Sequence, residues 1–317
     1  MIAKPVRLLV LRGGAIGDFV ATLPALRALR KRWPEAYIEL IGYPHVARLA
    51  LQDGLVDRVE SLDRAGIALY FAEHPVFPPA QTEFIRSFDL VLSYLHDRQG
   101  LVRDNLERAG AKQVIYGSPL VEGDHHAVDH LLKPLETLAI YETGAQPALR
   151  LDPELRAAGQ ALLAERGLCA PVYVLHPGSG SPRKNWPLER FVALADRIRR
   201  AGLGRPVFLV GEADEPLRRS LQERWPDTPL FADLSVLQAC GLLSACQAYI
   251  GNDSGVTHLA AALGLPVLAL FGPSSVRHWA PRGTRVQVVA ARSGELAALS
   301  PDEIWPRVAG LTTVPDG

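Results

Sequence analysis

Three short polar stretches of the 317-residue chain carry the residue types that grip a phosphate and move a proton. The first is Gly251-Asn252-Asp253-Ser254-Gly255, between the apolar run Ala248-Tyr249-Ile250 and a segment with Val256, Leu259, Ala260 and Leu263 at helical spacing. That order puts Asp253, Ser254 and Gly255 at a helix N-terminus on the carboxyl edge of a strand, where open α/β sheets bind ligands. Free N–H groups and the helix dipole favour an anion there, and glycine lets it approach the backbone. Asp253 and Ser254 serve equally well as plain helix caps.

The second stretch is His176-Pro177-Gly178-Ser179-Gly180-Ser181, followed by Arg183-Lys184-Asn185-Trp186-Pro187. Lys184 is one of five lysines beside twenty-nine arginines, so a compact point charge stands where most cations of this chain are planar forks. Ser179, Gly180, Ser181, Lys184, Asp253, Ser254, Gly255 and His258 together offer hydroxyls, one cation and backbone donors to a pyrophosphate. Glu215, after Gly211-Glu212-Ala213-Asp214, is placed to accept hydrogen bonds from ribose hydroxyls or to be a first-turn helix acid.

The third stretch is Arg12-Gly13-Gly14-Ala15-Ile16-Gly17-Asp18, which ends the strand Val6–Leu11. A dinucleotide fingerprint requires Gly-x-Gly-x-x-Gly, and Arg12 stands where its first glycine belongs, which weakens a nicotinamide reading. Gly14 and Gly17 still permit close approach of a ligand. Asp18 either points into a cleft or sits as a dipole-favoured carboxylate at a helix start. Facing a nucleotide-sugar, such a carboxylate takes the proton of an acceptor hydroxyl as its oxygen attacks the anomeric carbon. Lys184 and the helix N-terminus then stabilise the leaving diphosphate, where negative charge grows. No Asp-x-Asp pair occupies a suitable loop, so no metal is expected. Asp124-His125-His126-Ala127-Val128-Asp129-His130 has metal-like spacing but suits the start of a helix Val128–Leu138.

The elements that must position these residues alternate strand and helix along the chain. Expected are a helix from Phe19 to Trp33, strands at Ile38–Ile41, Phe88–Tyr94 and Gln113–Tyr116, and an irregular stretch from Ala65 to Ala80, broken by Pro75, Pro78 and Pro79. The alternation restarts at Pro171–Leu175, so two Rossmann-like domains are expected, 1–148 and 149–317, with Gly144-Ala145-Gln146-Pro147-Ala148 as linker. The terminal helix after Ser300-Pro301 is free in this reading to pack back on the first domain. Zero formal net charge removes the electrostatic case for nucleic acid. Cys169, Cys240 and Cys246, set among apolar residues, suit reduced core thiols in a cytosolic protein. Met1-Ile2-Ala3-Lys4-Pro5 runs into the first strand without a signal-peptide pattern, and no apolar run reaches transmembrane length.

Leu11–Asp18 with Thr22-Leu23-Pro24-Ala25-Leu26 resembles the N-terminal motif of glycosyltransferase family nine, the ADP-heptose heptosyltransferases of lipopolysaccharide core assembly. His176-Pro177-Gly178-Ser179 with Lys184-Asn185-Trp186-Pro187, and Gly251–Gly255 through Gly272-Pro273, resemble its donor motifs. The resemblance implies a GT-B fold, two Rossmann-like domains facing a central cleft, the first for the acceptor and the second for the nucleotide-sugar. It implies inverting, metal-independent transfer of a heptose from ADP-heptose to a lipopolysaccharide-core or related glycan or glycolipid, with no cofactor, since the ADP-sugar is a substrate. By position, Asp18 is similar to the catalytic base, Lys184 to the phosphate-binding lysine, Asp253 to the donor-loop acid and Glu215 to the ribose carboxylate. Gly14, Gly17, Arg27 and Arg30 fall on the acceptor side; the basic run Arg27, Arg30, Lys31 and Arg32 suits an anionic acceptor, peripheral contact with the inner membrane, or plain solvation. A nucleotide-sugar epimerase of similar fold and a non-catalytic nucleotide-binding protein are the alternatives.

Overall fold

The computed structural model describes residues 7–311, so Val6 of the first expected strand and the Met1–Pro5 stretch lie outside the described residues. The chain divides between Pro147 and Ala148 into two compact units. The first contains β1 (Arg7–Arg12), α1 (Ile16–Arg32), β2 (Tyr37–Gly42), α2 (Pro44–Gln52), β3 (Arg58–Ser61), α3 (Ala65–Ala68), α4 (Pro79–Arg86), β4 (Leu90–Tyr94), α5 (Leu101–Arg108), β5 (Val114–Tyr116) and α6 (Ala127–Leu132). The second contains α7 (Pro153–Ala164), β6 (Val172–His176), α8 (Leu188–Arg200), β7 (Arg205–Leu209), α9 (Glu215–Arg224), β8 (Leu230–Phe231), α10 (Val236–Ser244), β9 (Ala248–Asn252), α11 (Gly255–Ala262), β10 (Val267–Phe271), α12 (Val276–Trp279), β11 (Val286–Ala290) and α13 (Pro301–Ala309).

All strand pairs are parallel, in the orders β3-β2-β1-β4-β5 and β11-β10-β9-β6-β7-β8. Parallel sheets are covered on both faces, so their strands read as apolar runs, and β4, β6, β9 and β10 are buried at every residue. Strand order reverses between β1 and β4 in the first sheet and between β6 and β9 in the second. At such reversals the loops leaving the carboxyl ends splay apart and open a crevice. The Gly13–Asp18 loop leaves the end of β1; the Pro177–Lys184 and Asp253–Gly255 loops leave β6 and β9.

Several elements differ from expectation for identifiable reasons. Helix α1 begins at Ile16, three residues early, so Asp18 lies inside its first turn. The 65–80 stretch holds α3, a 3-10 turn at Leu69–Phe71 and the start of α4, and Asn105 of α5 ties it down by donating to the carbonyls of Tyr70 (3.0 Å) and Ala72 (2.8 Å). The expected helix Val128–Leu138 is α6 followed by a 3-10 segment, Lys133–Leu138, containing Pro134, which has no N–H to continue the α pattern. Trp279 ends the single turn of α12 rather than lying in a loop. Cys169 is exposed, not a core thiol, while burial pushes the Cys240 and Cys246 thiols up to about 12. The apolar face of α13, free in the sequence reading to return to the first unit, is taken up in the second: Ile304 and Val308 join Phe191, Leu194 and Ile198 of α8 in one core. Among the described residues no helix is long and apolar enough to cross a membrane.

Helices α7 and α10 touch through glycine. A Cβ on Gly159 would stand 1.9 Å from the Gly241 carbonyl oxygen, and one on Gly241 would stand 2.5 Å from that of Leu155. Backbone cannot yield as a flexible side chain does, so the helices would have to part. Gly159→Ala is expected to lower the urea unfolding free energy by about 1–3 kcal/mol, and an unchanged midpoint would show that the crossing has slack.

Candidate active site

In the second unit the two polar loops are joined by Asn252, the last residue of β9, which is fully buried. Its Nδ2 donates to the Pro177 carbonyl at 2.8 Å and its Oδ1 accepts the Trp186 N–H at 3.1 Å. Trp186 is itself pinned, its indole Nε1 donating to the Leu299 carbonyl at 2.9 Å. Between these anchors Lys184 reaches the next residue of the other loop: Lys184 Nζ lies 2.8 Å from Asp253 Oδ2. The Asp253 side chain is 8% exposed and that of Lys184 35%, so the ammonium is the solvent-facing half of the pair.

Helix α11 starts directly behind Asp253. Ser254 caps it, its Oγ accepting the Thr257 N–H at 3.3 Å, while its carbonyl accepts the N–H of His258 at 3.3 Å. The Asp253 amide is committed elsewhere, donating to the Leu270 carbonyl at 3.0 Å. The expectation of a backbone donor at 253 is therefore corrected. Helix geometry leaves Ser254, Gly255 and Val256 with N–H groups that have no intrahelical acceptor. Thr257 holds this corner: its Oγ1 lies 3.0 Å from both Tyr249 Oη and Ser254 Oγ and donates to the Asn252 carbonyl. Tyr249 runs so close under Gly251 that a Cβ there would stand 2.5 Å from its hydroxyl.

Ser179 is turned inward, its Oγ 2.8 Å from the Ser181 carbonyl and 2.5 Å from Asn185 Oδ1, so it braces its loop. Gly180 is exposed, with φ +71°, and open space surrounds the position a Cβ would take. Ser181 is half-buried and His258 buried in the first turns of these loops and α11. Glu215 does not turn inward. Its side chain is 57% exposed on α9, 3.8 Å from Arg218 and 4.0 Å from Arg219, the pattern of a solvated first-turn acid. The buried carboxylate of that loop is its neighbour Asp214, whose Oδ2 accepts the Gly211 N–H at 3.0 Å. Gly178 closes over it: a Cβ on Gly178 would stand 2.0 Å from Asp214 Oδ2. Below lies His176, 2.7 Å through Nδ1 from the Leu209 carbonyl, its pKa pushed down by burial against the opposing pull of Asp214.

In the first unit, Asp18 Oδ2 accepts the Ala15 N–H at 3.0 Å, and no hydrogen bond from a described residue reaches Oδ1. Gly14 has φ +101°, and a Cβ there would lie 2.9 Å from that of Asp18, so this glycine serves the turn and the approach of Asp18. Gly17 lies in the first turn of α1. Arg27 and Arg30 are elsewhere: nine and twelve residues beyond Asp18 on a helix, they are roughly 13 and 18 Å along its axis. Arg27 pairs with Asp53; Arg30 bonds Asp57 (2.7 Å) and the carbonyls of Ala36 (2.8 Å) and Pro34 (3.1 Å). These guanidiniums tie α1 to the loops around β2 and do not join Gly14 and Gly17 in one subsite. His126 Nδ1 caps α6 by accepting the Val128 N–H at 3.2 Å, and His130 Nε2 lies 2.9 Å from the Ser118 carbonyl. Among the described residues no group of three or more His, Cys, Asp or Glu side chains is placed to hold a metal ion.

The family model of glycosyltransferase family 9 (heptosyltransferase) matches residues 103–304, more than half of the chain. The chain belongs to this family. Lipooligosaccharide heptosyltransferase 2 of Haemophilus influenzae is 32% identical over 144 residues, 43% of this chain and 40% of that protein. Lipopolysaccharide heptosyltransferase 2 of Salmonella typhimurium is 32% identical over 152 residues, 45% of this chain and 42% of that protein. The chain thus spans about two fifths of the length of these relatives. A glycosyl transferase family 9 structure from Veillonella parvula superposes with TM-score 0.80 at 21% identity, covering 98% of both chains. The E. coli ADP-heptose heptosyltransferase II structure follows with TM-score 0.73 at 19% identity, covering 96% of this chain and 98% of that one. At these identities the superpositions establish the shared GT-B fold of two parallel α/β units.

Asn252, Thr257 and Asp214 were not among the candidates read from sequence. Asn252 and Asp214 adjoin candidates that were, and Thr257 stands three residues after the cap Ser254, the spacing at which a cap hydroxyl meets a first-turn N–H. His176 yields a pH prediction. Unfolded, it titrates near 6.5; folded, burial holds it lower. Between the two values the unfolded chain binds the extra proton, so stability rises with pH, and what is present above about 6.5 is lost as pH falls through that window. His176→Gln should therefore lose less unfolding free energy than the parent between pH 7.5 and pH 5; equal losses in urea titrations would remove His176 as the cause.

Proposed function

We propose that this chain transfers a heptose from ADP-heptose to a hydroxyl of a lipopolysaccharide-core or related glycan, with inversion and without a metal or cofactor. The observation that carries this reading is the Lys184–Asp253 pair at the start of α11, on the crevice where the second sheet reverses its strand order. Family membership supports the reaction class, and the relatives' names support the sugar. The second unit is the donor side and the first the acceptor side in this proposal.

In the proposed reaction Lys184 Nζ and the N–H groups of Gly255 and Val256 hold the diphosphate, and Asp253 is left to accept hydrogen bonds from the sugar. Asp18 Oδ1 takes the acceptor proton, the acceptor oxygen forms the new bond to the anomeric carbon, and the old carbon–oxygen bond breaks with its electron pair leaving on ADP. Negative charge grows on the diphosphate, where the ammonium and the helix N-terminus stabilise it. Glu215, exposed at the start of α9, is the carboxylate proposed to meet the ribose, and Asp214, buried on the Gly211 N–H beneath Gly178, braces the loop that presents it. The proposed site of action is the cytoplasmic face of the inner membrane; with Arg27 and Arg30 engaged internally, the exposed Lys31 and Arg32 are what remain of the basic run of α1 for such contact.

Asp18→Asn is expected to lower turnover by roughly 10²–10⁴-fold, the range of a lost general base, with ADP affinity by calorimetry unchanged. Lys184→Ala should weaken ADP binding by roughly 10–100-fold, as loss of a hydrogen bond to a charged group does. Transfer should survive excess EDTA. Near-parental turnover of Asp18→Asn would reject its role as base, and a product formed from ADP-sugar without acceptor would favour an epimerase.

A further inference from the structure

Arg12 occupies the last position of β1, where a dinucleotide-binding turn has its first glycine. Its side chain is drawn back against α1, leaving the residue 2% exposed. Nε donates to Thr22 Oγ1 at 2.9 Å and Nη2 to the Asp18 carbonyl at 2.9 Å, and Thr22 Oγ1 donates to the same carbonyl at 2.8 Å. The guanidinium carbon lies 6.0 Å from the centre of the Tyr94 ring on the neighbouring strand. No carboxylate of a described residue comes within ion-pair distance, so this buried cation is hydrogen-bonded to neutral oxygens alone. Burial without a paired anion costs free energy, and a neutral donor could staple strand to helix without that cost. The nearby negative charge is the Asp18 carboxylate, which adds an attraction to the buried guanidinium.

We propose that Arg12 is a positioning residue for the proton-accepting step. It fixes the main chain of Asp18 through the carbonyl, so that Oδ2 stays on the Ala15 N–H and Oδ1 projects from the first turn. This inference rests on the reading of Asp18 as the base. Thr22 is the second half of the clamp, and Gly14 the gap that lets the Asp18 side chain fold back.

The test uses the 317-residue chain with Arg12→Met, Arg12→Lys and Thr22→Val, and two readouts. With ADP-heptose and an acceptor, Arg12→Met should lower kcat by roughly 10–100-fold, the scale of hydrogen bonds to a charged group, while donor KM and ADP Kd stay within about two-fold. Arg12→Lys should recover part of that loss by restoring one hydrogen-bond donor to the Asp18 carbonyl. The second readout is hydrogen exchange at the Ala15 amide, which should quicken in Arg12→Met and Thr22→Val and needs no transfer activity. Parental kcat in Arg12→Met, or in Thr22→Val, would overturn the positioning role even where the parent transfers heptose normally. A parent inactive with every ADP-sugar would overturn the transfer reading; unchanged Ala15 exchange would, independently, overturn the clamp. If Arg12→Met does not fold, Arg12→Lys and Thr22→Val decide on the same two readouts.

Discussion

One buried carboxamide holds the polar loops of the second unit together. Asn252 ends β9 with no exposure and uses both ends of its side chain on the neighbouring loop, giving to Pro177 and receiving from Trp186. A buried amide with partners at both ends strengthens in a low-dielectric surrounding, whereas one left half-paired is a liability. Lys184 precedes Trp186 by two residues and Asp253 follows Asn252 directly, so the 2.8 Å ion pair is a consequence of that amide. Parallel order makes it possible, because β6 and β9 are neighbours and release their chains at the same edge. The first unit solves the same problem with a different group. There the last residue of β1 sends a guanidinium into the first turn of α1, again from the strand next to the reversal.

Much of the fold was legible because parallel strands and their covering helices impose simple periods. Strands buried on both faces appear as apolar runs, and α8 shows Phe191, Leu194, Ala195 and Ile198 at helical spacing, all of them in the core. What was not legible depends on partners distant in sequence. Asn105 orders the segment after Ile67 from more than thirty residues away. Gly159 and Gly241 look like weak helix positions on their own and become intelligible only when each is seen making room for the other helix's backbone. The destination of α13 belongs to the same class, since an amphipathic pattern states that a face is buried but not against what.

In the two units, sequence pointed to the polar loops and to the candidates whose chemistry is intrinsic, Asp18 in the first and Lys184 and Asp253 in the second. It did not show the direction in which a side chain points. Glu215 and Asp214 are adjacent acids at a strand end, and only the backbone turn decides which is drawn in and which faces solvent. Arg27 and Arg30 look like a basic stripe because the acids that engage them, Asp53 and Asp57, come from another segment. Arg12 registered in sequence as a missing glycine, a negative sign; in the fold it is the best-anchored cation near Asp18.

The Lys184–Asp253 pair also bears on selectivity in the proposed reaction. An isolated ammonium at a helix N-terminus would attract any anion, including free phosphate, by charge alone. With Asp253 at 2.8 Å the local charges cancel, and the carboxylate already occupies the position an anion would seek. A diphosphate must then displace or share Asp253 to reach Lys184, and a displaced, nearly buried carboxylate is costly unless it finds hydrogen donors. A bare phosphate dianion has a single hydroxyl to offer. A diphosphate attached to a polyhydroxylated sugar has several, delivered to the same corner as its own charge is taken up. In the proposed reaction the pair thus favours a ligand that brings phosphate and several hydroxyls together, as a nucleotide-sugar does, over one that brings phosphate alone.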